Sequence, residues 1–407
     1  YATLTSAYIP RRIANEFGDF FNVVAIDDYA LSNCPKLTEV TFQNNSNVSS
    51  IGKFAFKGTQ ISSISLPESV YKIEEGAFYQ SGLIEFLLPT QVTAIPEKMF
   101  SGSSAIKRII LHSDVTEIGD NAFSDCLALE NVENCNSVKH IGNSIFKNCK
   151  ILKSIKLSNE LESIGNQAFA TCESLPGIEL PNTLKSIGDS ALYGCKSITS
   201  VKLPDSVKYL GKYAFKYCSG LNSVELSKSL TSIEEGTFER CGTLETLELP
   251  KTLKEIEAYA FYLTEFPNGL TIPASVNYIG NYALSSVRNL RLEDCDSIIT
   301  INQYGINYSA ISSIYMGRRI SSNYSHKWVN LESLTVGSTI SEIEDFEFEG
   351  CSKLSEINFG CGVKSIGNNA FAECALTKVV IPPSVEKIGA NAFSDNNLTD
   401  VSIGYGI

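Results

Sequence analysis

The 407-residue sequence contains no uninterrupted apolar stretch approaching the roughly 18 residues that a membrane-spanning helix requires, so direct membrane insertion is not expected of it. A cationic excess is also missing. With a net charge of −12, the chain is repelled by phosphate backbones and anionic headgroups, which argues against nucleic acid as a partner. Histidine is scarce, limited to His112, His140 and His326, and no glycine-rich phosphate loop, nucleophile elbow or paired-carboxylate spacing stands out. Neither a cofactor nor a metal site is expected. Tyr1 stands where an initiator methionine would, as in a processed or shortened chain from which a signal or anchor could have been removed.

What the sequence has in abundance is one phrase. Ile164-Gly165-Asn166-Gln167-Ala168-Phe169, then Cys172, then Leu175-x-x-Ile178-x-Leu180-Pro181, then Leu184, leads to a fresh start at Ile187. Its first position recurs at Ile26, Ile51, Ile73, Ile95, Ile118, Ile141, Ile164, Ile187, Leu210, Ile233, Ile256, Ile279, Ile301, Asn323, Ile343, Ile366 and Ile388, a spacing of 23 with slips to 25, 22 and 20. Such a period marks a solenoid, in which each turn buries its apolar face only by stacking on its neighbours.

Within each turn the segment typified by Leu221-Asn222-Ser223-Val224-Glu225-Leu226 alternates apolar and polar residues, predicting one short strand per turn with one buried face. A proline directly after it, as at Pro67, Pro181, Pro204 and Pro250, lacks an amide donor and ends the ladder. The Ala-Phe pair, such as Ala168-Phe169, fills the interior from the opposite side, on an arc expected to be a short helix or 3₁₀ turn.

The phrase I-G-x-x-A-F-x-x-C-x-x-L-x-x-I-x-L-P, repeated from about Ile26 to Ile403, resembles the BspA-type class of leucine-rich repeats. That resemblance implies an α/β repeat solenoid, a right-handed superhelix with a parallel sheet on its concave face. It further implies a cell-surface or secreted protein, from host-associated anaerobic bacteria or certain parasitic protists, that binds host or matrix proteins and carries no catalytic motif. On this reading residues 1–25, with Phe17, Phe20 and Phe21, form an N-terminal cap. Residues 26–407 form about 17 turns, irregular across 301–342.

Nine of the twelve cysteines, Cys34, Cys126, Cys149, Cys172, Cys195, Cys218, Cys241, Cys351 and Cys374, follow the phenylalanine column at a fixed offset. Neighbouring rungs would have parallel β-carbon vectors, so these nine are expected to be reduced, small buried hydrophobes. Cys135, Cys295 and Cys361 fall just after the strands and are expected to be more accessible. His112 and Cys135 share a column, so a Cys/His nucleophile is conceivable, but a chance contact is the favoured reading and no enzyme activity is expected.

The strand residues beside the buried central one should face outward. Six successive turns there read Glu133, Lys156, Glu179, Lys202, Glu225 and Glu248, mostly a self-neutralising charge ladder. Leu87 and Ile110 interrupt the column with apolar side chains, flanked by Arg108 and His112. They are either an interface or residues covered by the N-terminal segment.

The phrase nearly dissolves across 302–330, giving Tyr304, Tyr308, Tyr315, Arg318, Arg319, Tyr324, His326, Lys327 and Trp328. Trp328 falls at the phenylalanine position and should fill the core. The tyrosines and arginines are either a binding hot spot or aromatic repair of a kink. The end from Val401 to Ile407 shows no polar cap, as in a shortened chain or an end packed against another molecule. The partner implied is a protein, with a glycan as a further candidate; the alternative function is a structural spacer displaying another domain.

Overall fold

Phe123, Phe146 and Phe169 have no exposed surface, and their rings stack with centroids 5.3 Å apart and planes tilted by 15°. Each buried phenylalanine contributes on the order of 1.5–3 kcal/mol, and the stack sets the distance between turns. The structure, a computed structural model, describes residues 3–133, 135–306, 309–321 and 328–404. The chain divides into two units, Tyr1–Gly220 and Leu221–Ile407.

Most turns carry two parallel strands, where the alternation pattern pointed to one. The first ends on the recurrent isoleucine and is mostly two residues long, too short to register as a period. In the first unit Ala94–Ile95, Glu117–Ile118, His140–Ile141, Ser163–Ile164, Ser186–Ile187 and Tyr209–Leu210 form one six-stranded parallel sheet. The second column is the alternating segment itself: Glu85–Leu87, Arg108–Ile110, Asn131–Glu133 and Ser154–Ile155 pair in register, Phe86 beside Ile109 beside Val132 beside Ile155. Ser6–Ile9 pairs in parallel with Glu39–Phe42, whereas Arg12–Ala14 and Phe20–Asn22 form a hairpin whose Phe17, Phe20 and Phe21 face solvent. Strand pairing in this second column lapses at 61–66 and at 176–180.

In the second unit the first column runs through Ser232–Ile233, Glu255–Ile256, Tyr278–Ile279, Ile299–Ile301 and Ile320–Ser321. The last of these pairs Ile299 with Ile320 and Thr300 with Ser321; Asn323, which the repeat placed in this column, lies outside the described residues. The second column holds Leu270–Ile272, Asn289–Leu292, Ser313–Met316, Ser333–Val336 and Glu356–Asn358. Trp328 is buried and packs on Phe348, filling the core of its shortened turn.

The arcs are not helical. The one helix among the described residues is Gln303–Ile306, and elsewhere the arc is a succession of turns. Most arcs place two residues four apart in the left-handed region, as at Ser144 (φ 54°) and Asn148 (φ 61°), or Gln167 (φ 54°) and Thr171 (φ 59°). A helix needs an unbroken right-handed run, so these reversals forbid one. They turn alternate amides outward along the stack instead: Ser144, Phe146 and Asn148 donate to the carbonyls of Asn166, Ala168 and Ala170 in the next turn. In the strand columns amides also donate to the preceding turn, as from Lys153 to Glu130. Gly165 is required by proximity, since a β-carbon there would meet the Gly142 carbonyl carbon at 2.6 Å.

All described cysteines are free thiols. The nine column cysteines are buried, and along the first unit the thiols of Cys149, Cys172 and Cys195 donate to the carbonyl oxygens of Phe123, Phe146 and Phe169, each at 3.1 Å.

Candidate interaction surfaces

Leu87 is 70% exposed, so the N-terminal segment does not cover it. The register sets Leu87 beside Ile110 and Ile110 beside Glu133 on the outward side of the second column. Ile110 is half-buried. Arg108 reaches across to Glu133 with both arms of its fork, Nε to Oε1 at 2.8 Å and Nη2 to Oε2 at 3.1 Å. This contact raises the affinity of the guanidinium for its proton and lowers the Glu133 carboxyl below its ordinary value. The result is a small apolar patch bordered by a bidentate ion pair.

His112 does not border that patch. Its Nε2 lies 3.2 Å from the Pro89 carbonyl oxygen and 3.0 Å from that of Val92, tucked into the turn that follows the previous strand. Cys135 is buried rather than accessible, at 4% exposure, and burial pushes its thiol up to about 12. A thiol so reluctant to ionise is no nucleophile at neutral pH, which removes the Cys/His reading. Cys361 is exposed and Cys295 is half-buried.

The expected Glu/Lys ladder does not close over Glu133, Lys156 and Glu179. Glu133 is taken by Arg108, and neither Lys156 nor Glu179 forms an ion pair among the described residues. One-turn ion pairs form in flanking columns instead, Lys153 with Glu130 at 2.6 Å and Lys185 with Glu162 at 2.7 Å. The reason lies in Pro176-Gly177, which falls inside the strand segment and interrupts the sheet between Lys156 and Glu179.

The structure distributes the 302–330 residues over different parts of the turn. Arg318 is fully buried: Nη1 donates to the carbonyl oxygens of Ala274 and Val276, and Nη2 to that of Pro273, at 2.5–3.0 Å. In other turns a threonine hydroxyl meets the corresponding carbonyls, Thr183 those of Asn159 and Leu161, Thr252 those of Lys228 and Leu230. Arg318 does that work from two turns away and is not available to a partner. Arg319 is exposed but ion-paired with Glu344.

Tyr315 donates to the Asp294 carboxylate at 2.9 Å, while the Arg291 guanidinium sits 3.8 Å above its ring. Tyr304, 38% exposed, lies on the arc and stacks on Tyr282 at 5.2 Å, as Tyr282 does on Tyr259. Tyr308 and Tyr324 fall outside the described residues. Tyr304 and Tyr315 therefore belong to different columns, and the described residues of the region do not form a single cluster. Tyr259 and Tyr282 occupy variable positions of the phrase, and only their 23-residue spacing marks them in the sequence. Among the described residues, no group of three or more His, Cys, Asp or Glu side chains is placed to hold a metal.

A family model described as a BspA type leucine rich repeat region matches the chain over residues 24–153, 139–266, 254–324 and 318–407. Among solved structures, a leucine-rich repeat protein from Bacteroides ovatus is 25% identical, covering 98% of this chain and 83% of that one, with a TM-score of 0.49. A leucine rich cell surface protein from Faecalibacterium prausnitzii is 21% identical over 88% of each chain, with a TM-score of 0.38. The pneumococcal vaccine antigen PcpA is 17% identical, covering 99% of this chain and 89% of that one, with a TM-score of 0.33. No curated protein matches the chain.

Proposed function

Because the chain belongs to the BspA-type leucine-rich repeat family, we propose that it is a cell-surface or secreted binding protein that recognises a host, matrix or partner protein through its strand columns. Solenoids of this kind are interaction scaffolds, and their long repetitive surfaces serve recognition better than chemistry. The observation that carries the reading is Leu87, left 70% exposed beside Ile110 in a column otherwise occupied largely by charged residues. An apolar side chain held rigidly on a sheet and rimmed by the Arg108–Glu133 pair has the composition of an interface centre. In the same reading, residues 1–25 cap the first turn through Ser6–Ile9, and residues 26–407 form the recognition body.

The test is binding of the intact chain to a panel of immobilised, purified extracellular-matrix and mucosal proteins. Wild type should bind at least one, and the double variant Leu87→Glu, Ile110→Glu should lose that binding by about tenfold or more while melting as wild type does. Binding by the variant at wild-type strength would move the site elsewhere. No binding to any panel member would favour a spacer, a reading to which the internal bonds of Arg318, Arg319 and Tyr315 lend support.

A further inference from the structure

Arg12–Ala14 and Phe20–Asn22 form an antiparallel hairpin beside turns that stack in parallel. The hairpin is not needed to cover the first turn, because Ser6–Ile9 already pairs with Glu39–Phe42. All six of its strand residues are exposed. Ile13 is 55%, Phe20 71% and Phe21 54% exposed, with Phe17 in the turn at 81% and Val24 at the base at 53%. A two-stranded hairpin without a core against either face is marginally stable by itself, and further strands are what stabilise one.

Its hydrogen bonds leave two open edges of unequal kind. Val23 donates to the Arg11 carbonyl and Asn15 to that of Asp19, each at 2.9 Å. Bonded and non-bonded pairs alternate along an antiparallel ladder, so the backbone groups of Phe20 and Asn22 point away from Arg12–Ala14. No other described strand pairs with Phe20–Asn22. The opposite edge, along Arg12–Ala14, is blunted by Pro10, Arg11 and Arg12, the residue types that discourage strand addition. Phe20-Phe21-Asn22 has no such protection.

We propose that the free edge of Phe20–Asn22 pairs antiparallel with the same edge of a second copy, forming a homodimer whose two-fold axis passes through Phe21. The edge is its own complement. Phe20 and Asn22 of one copy exchange backbone bonds with Asn22 and Phe20 of the other, and the two Phe21 side chains meet on the axis with Ile13 behind each. The same register brings the Phe17 turn to Val24 at the base of the second copy. At either end of this apolar band Asp19 falls in one row with Val23 and, behind it, Arg11 of the second copy; neither Asp19 nor Arg11 has an ion-pair partner among the described residues. On the other face Arg12, whose Nε donates to the Asn22 Oδ1 at 3.0 Å, is directed toward Phe20 of the second copy. Residues 1–25 hold two arginines, one glutamate and one aspartate, so their charges cancel, and two chains of net charge −12 meet there with least repulsion. A lipid surface fits less well, because Glu16 and Asp19 flank Phe17 and their carboxylates would enter the bilayer first. A dimer carries two copies of whatever surface the solenoid offers, which strengthens weak recognition.

Sedimentation equilibrium of the 407-residue chain between about 1 and 300 μM tests the proposal, with Cys361→Ser as the background because that thiol is exposed. A reversible monomer–dimer equilibrium is expected, weak because a hairpin-sized interface lies below the usual size of stable ones. Phe21→Asp, which sets two carboxylates against each other on the axis, should weaken the dimer about tenfold or more while leaving the melting temperature unchanged. Register is read by cross-linking. Two Phe21 positions form a non-bonded pair with α-carbons about 4.5 Å apart, so Phe21→Cys should give a disulfide-linked dimer on mild oxidation. Two Phe20 positions lie on opposite sides of the axis, beyond the roughly 7 Å that a disulfide spans, so Phe20→Cys should not.

The proposal is overturned if the chain is monomeric throughout this range, if Phe21→Asp dimerises as the background protein does, or if Phe20→Cys cross-links as readily as Phe21→Cys. It is also overturned if a monomeric chain instead floats with phosphatidylcholine vesicles and Phe17→Asp abolishes the flotation, which would make the hairpin a lipid contact. Loss of matrix-protein binding on changing Leu87 and Ile110 leaves the dimer untouched, and loss of the dimer leaves that binding site in place, so the two readings fail separately.

Discussion

The Cys172 thiol donates to the carbonyl oxygen of Phe146, 3.1 Å away and one turn earlier. The relationship outlasts cysteine itself. Ser103 donates to Phe78, Thr264 to Phe238 and Asn396 to Phe371 from the same place in their turns. What that position requires is a small side chain with a hydrogen-bond donor, and a disulfide would remove the donor.

Cys172→Ser should therefore be close to neutral, because a hydroxyl keeps the bond. Cys172→Ala should lower stability by about 1–2 kcal/mol through a small void and the loss of one of two bonds to the Phe146 carbonyl, which keeps the Cys149 amide. Thermal denaturation of the two variants side by side measures the difference; equal losses would refute a donor role.

Thiol labelling at pH 8 should mark Cys361 first, because it is exposed, and should leave Cys135 and the nine column cysteines untouched until the protein is denatured. Burial pushes the thiols of Cys135 and Cys218 up to about 12, so very little thiolate is present to react. Mass spectrometry of peptides from native and denatured, unreduced protein reads both reactivity and the total of free thiols. Column cysteines found paired would contradict the structure.

Arg318→Ala should destabilise the second unit by about 3 kcal/mol, because it strips donors from the Pro273, Ala274 and Val276 carbonyls and leaves a cavity. Arg318→Lys should recover only part of the loss, since a single ammonium cannot reproduce the fork. Chemical denaturation gives the magnitudes, and a neutral Arg318→Ala would return this residue to the candidate binding surface.

Glu347 supplies a pH dependence. Burial pushes its carboxyl up to about 7, helped by the nearby charges of Glu344 and Glu342 and opposed by the Glu344 amide bond and Arg319. A folded-state value above the unfolded one means the folded form holds the proton more tightly. The charged carboxylate therefore penalises folding increasingly as pH rises from about 4.5 to 7, and fully above that. Glu347→Gln should melt higher than wild type at pH 8, with the gap closing toward pH 4.5. A constant gap would rule out titration of this group as its source.

The columns of Ile164, Phe169 and Cys172 were legible because each recurs in identical chemistry and each is buried for the same reason. The arc was not. Ala168-Phe169 is compatible in composition with a helical turn, but the conformation is set by the variable positions, where Asn121, Asn148 and Asn391 adopt positive φ with the ease typical of asparagine. Pro176 was hidden by the consensus, which treats its position as free although a proline inside a strand is rarely tolerated there. Arg318 and Arg319 look alike in sequence, and only the three-dimensional path of the turn buries one and exposes the other. At the apolar patch, sequence located Leu87 and Ile110 but not the Arg108–Glu133 fork, whose two members lie 25 residues apart.

The donor column has a consequence for descent. A turn such as the one holding Phe146 and Cys149 gives a donor to the turn before it and offers a carbonyl to the turn after it. A tandem copy of that stretch of gene would arrive with both halves of the joint already made, so the chain can lengthen by duplication without a compensating change elsewhere. The spacings of 25, 22 and 20 depart from 23 by two, one and three residues, which such a joint tolerates because its donor and acceptor lie within the copied stretch.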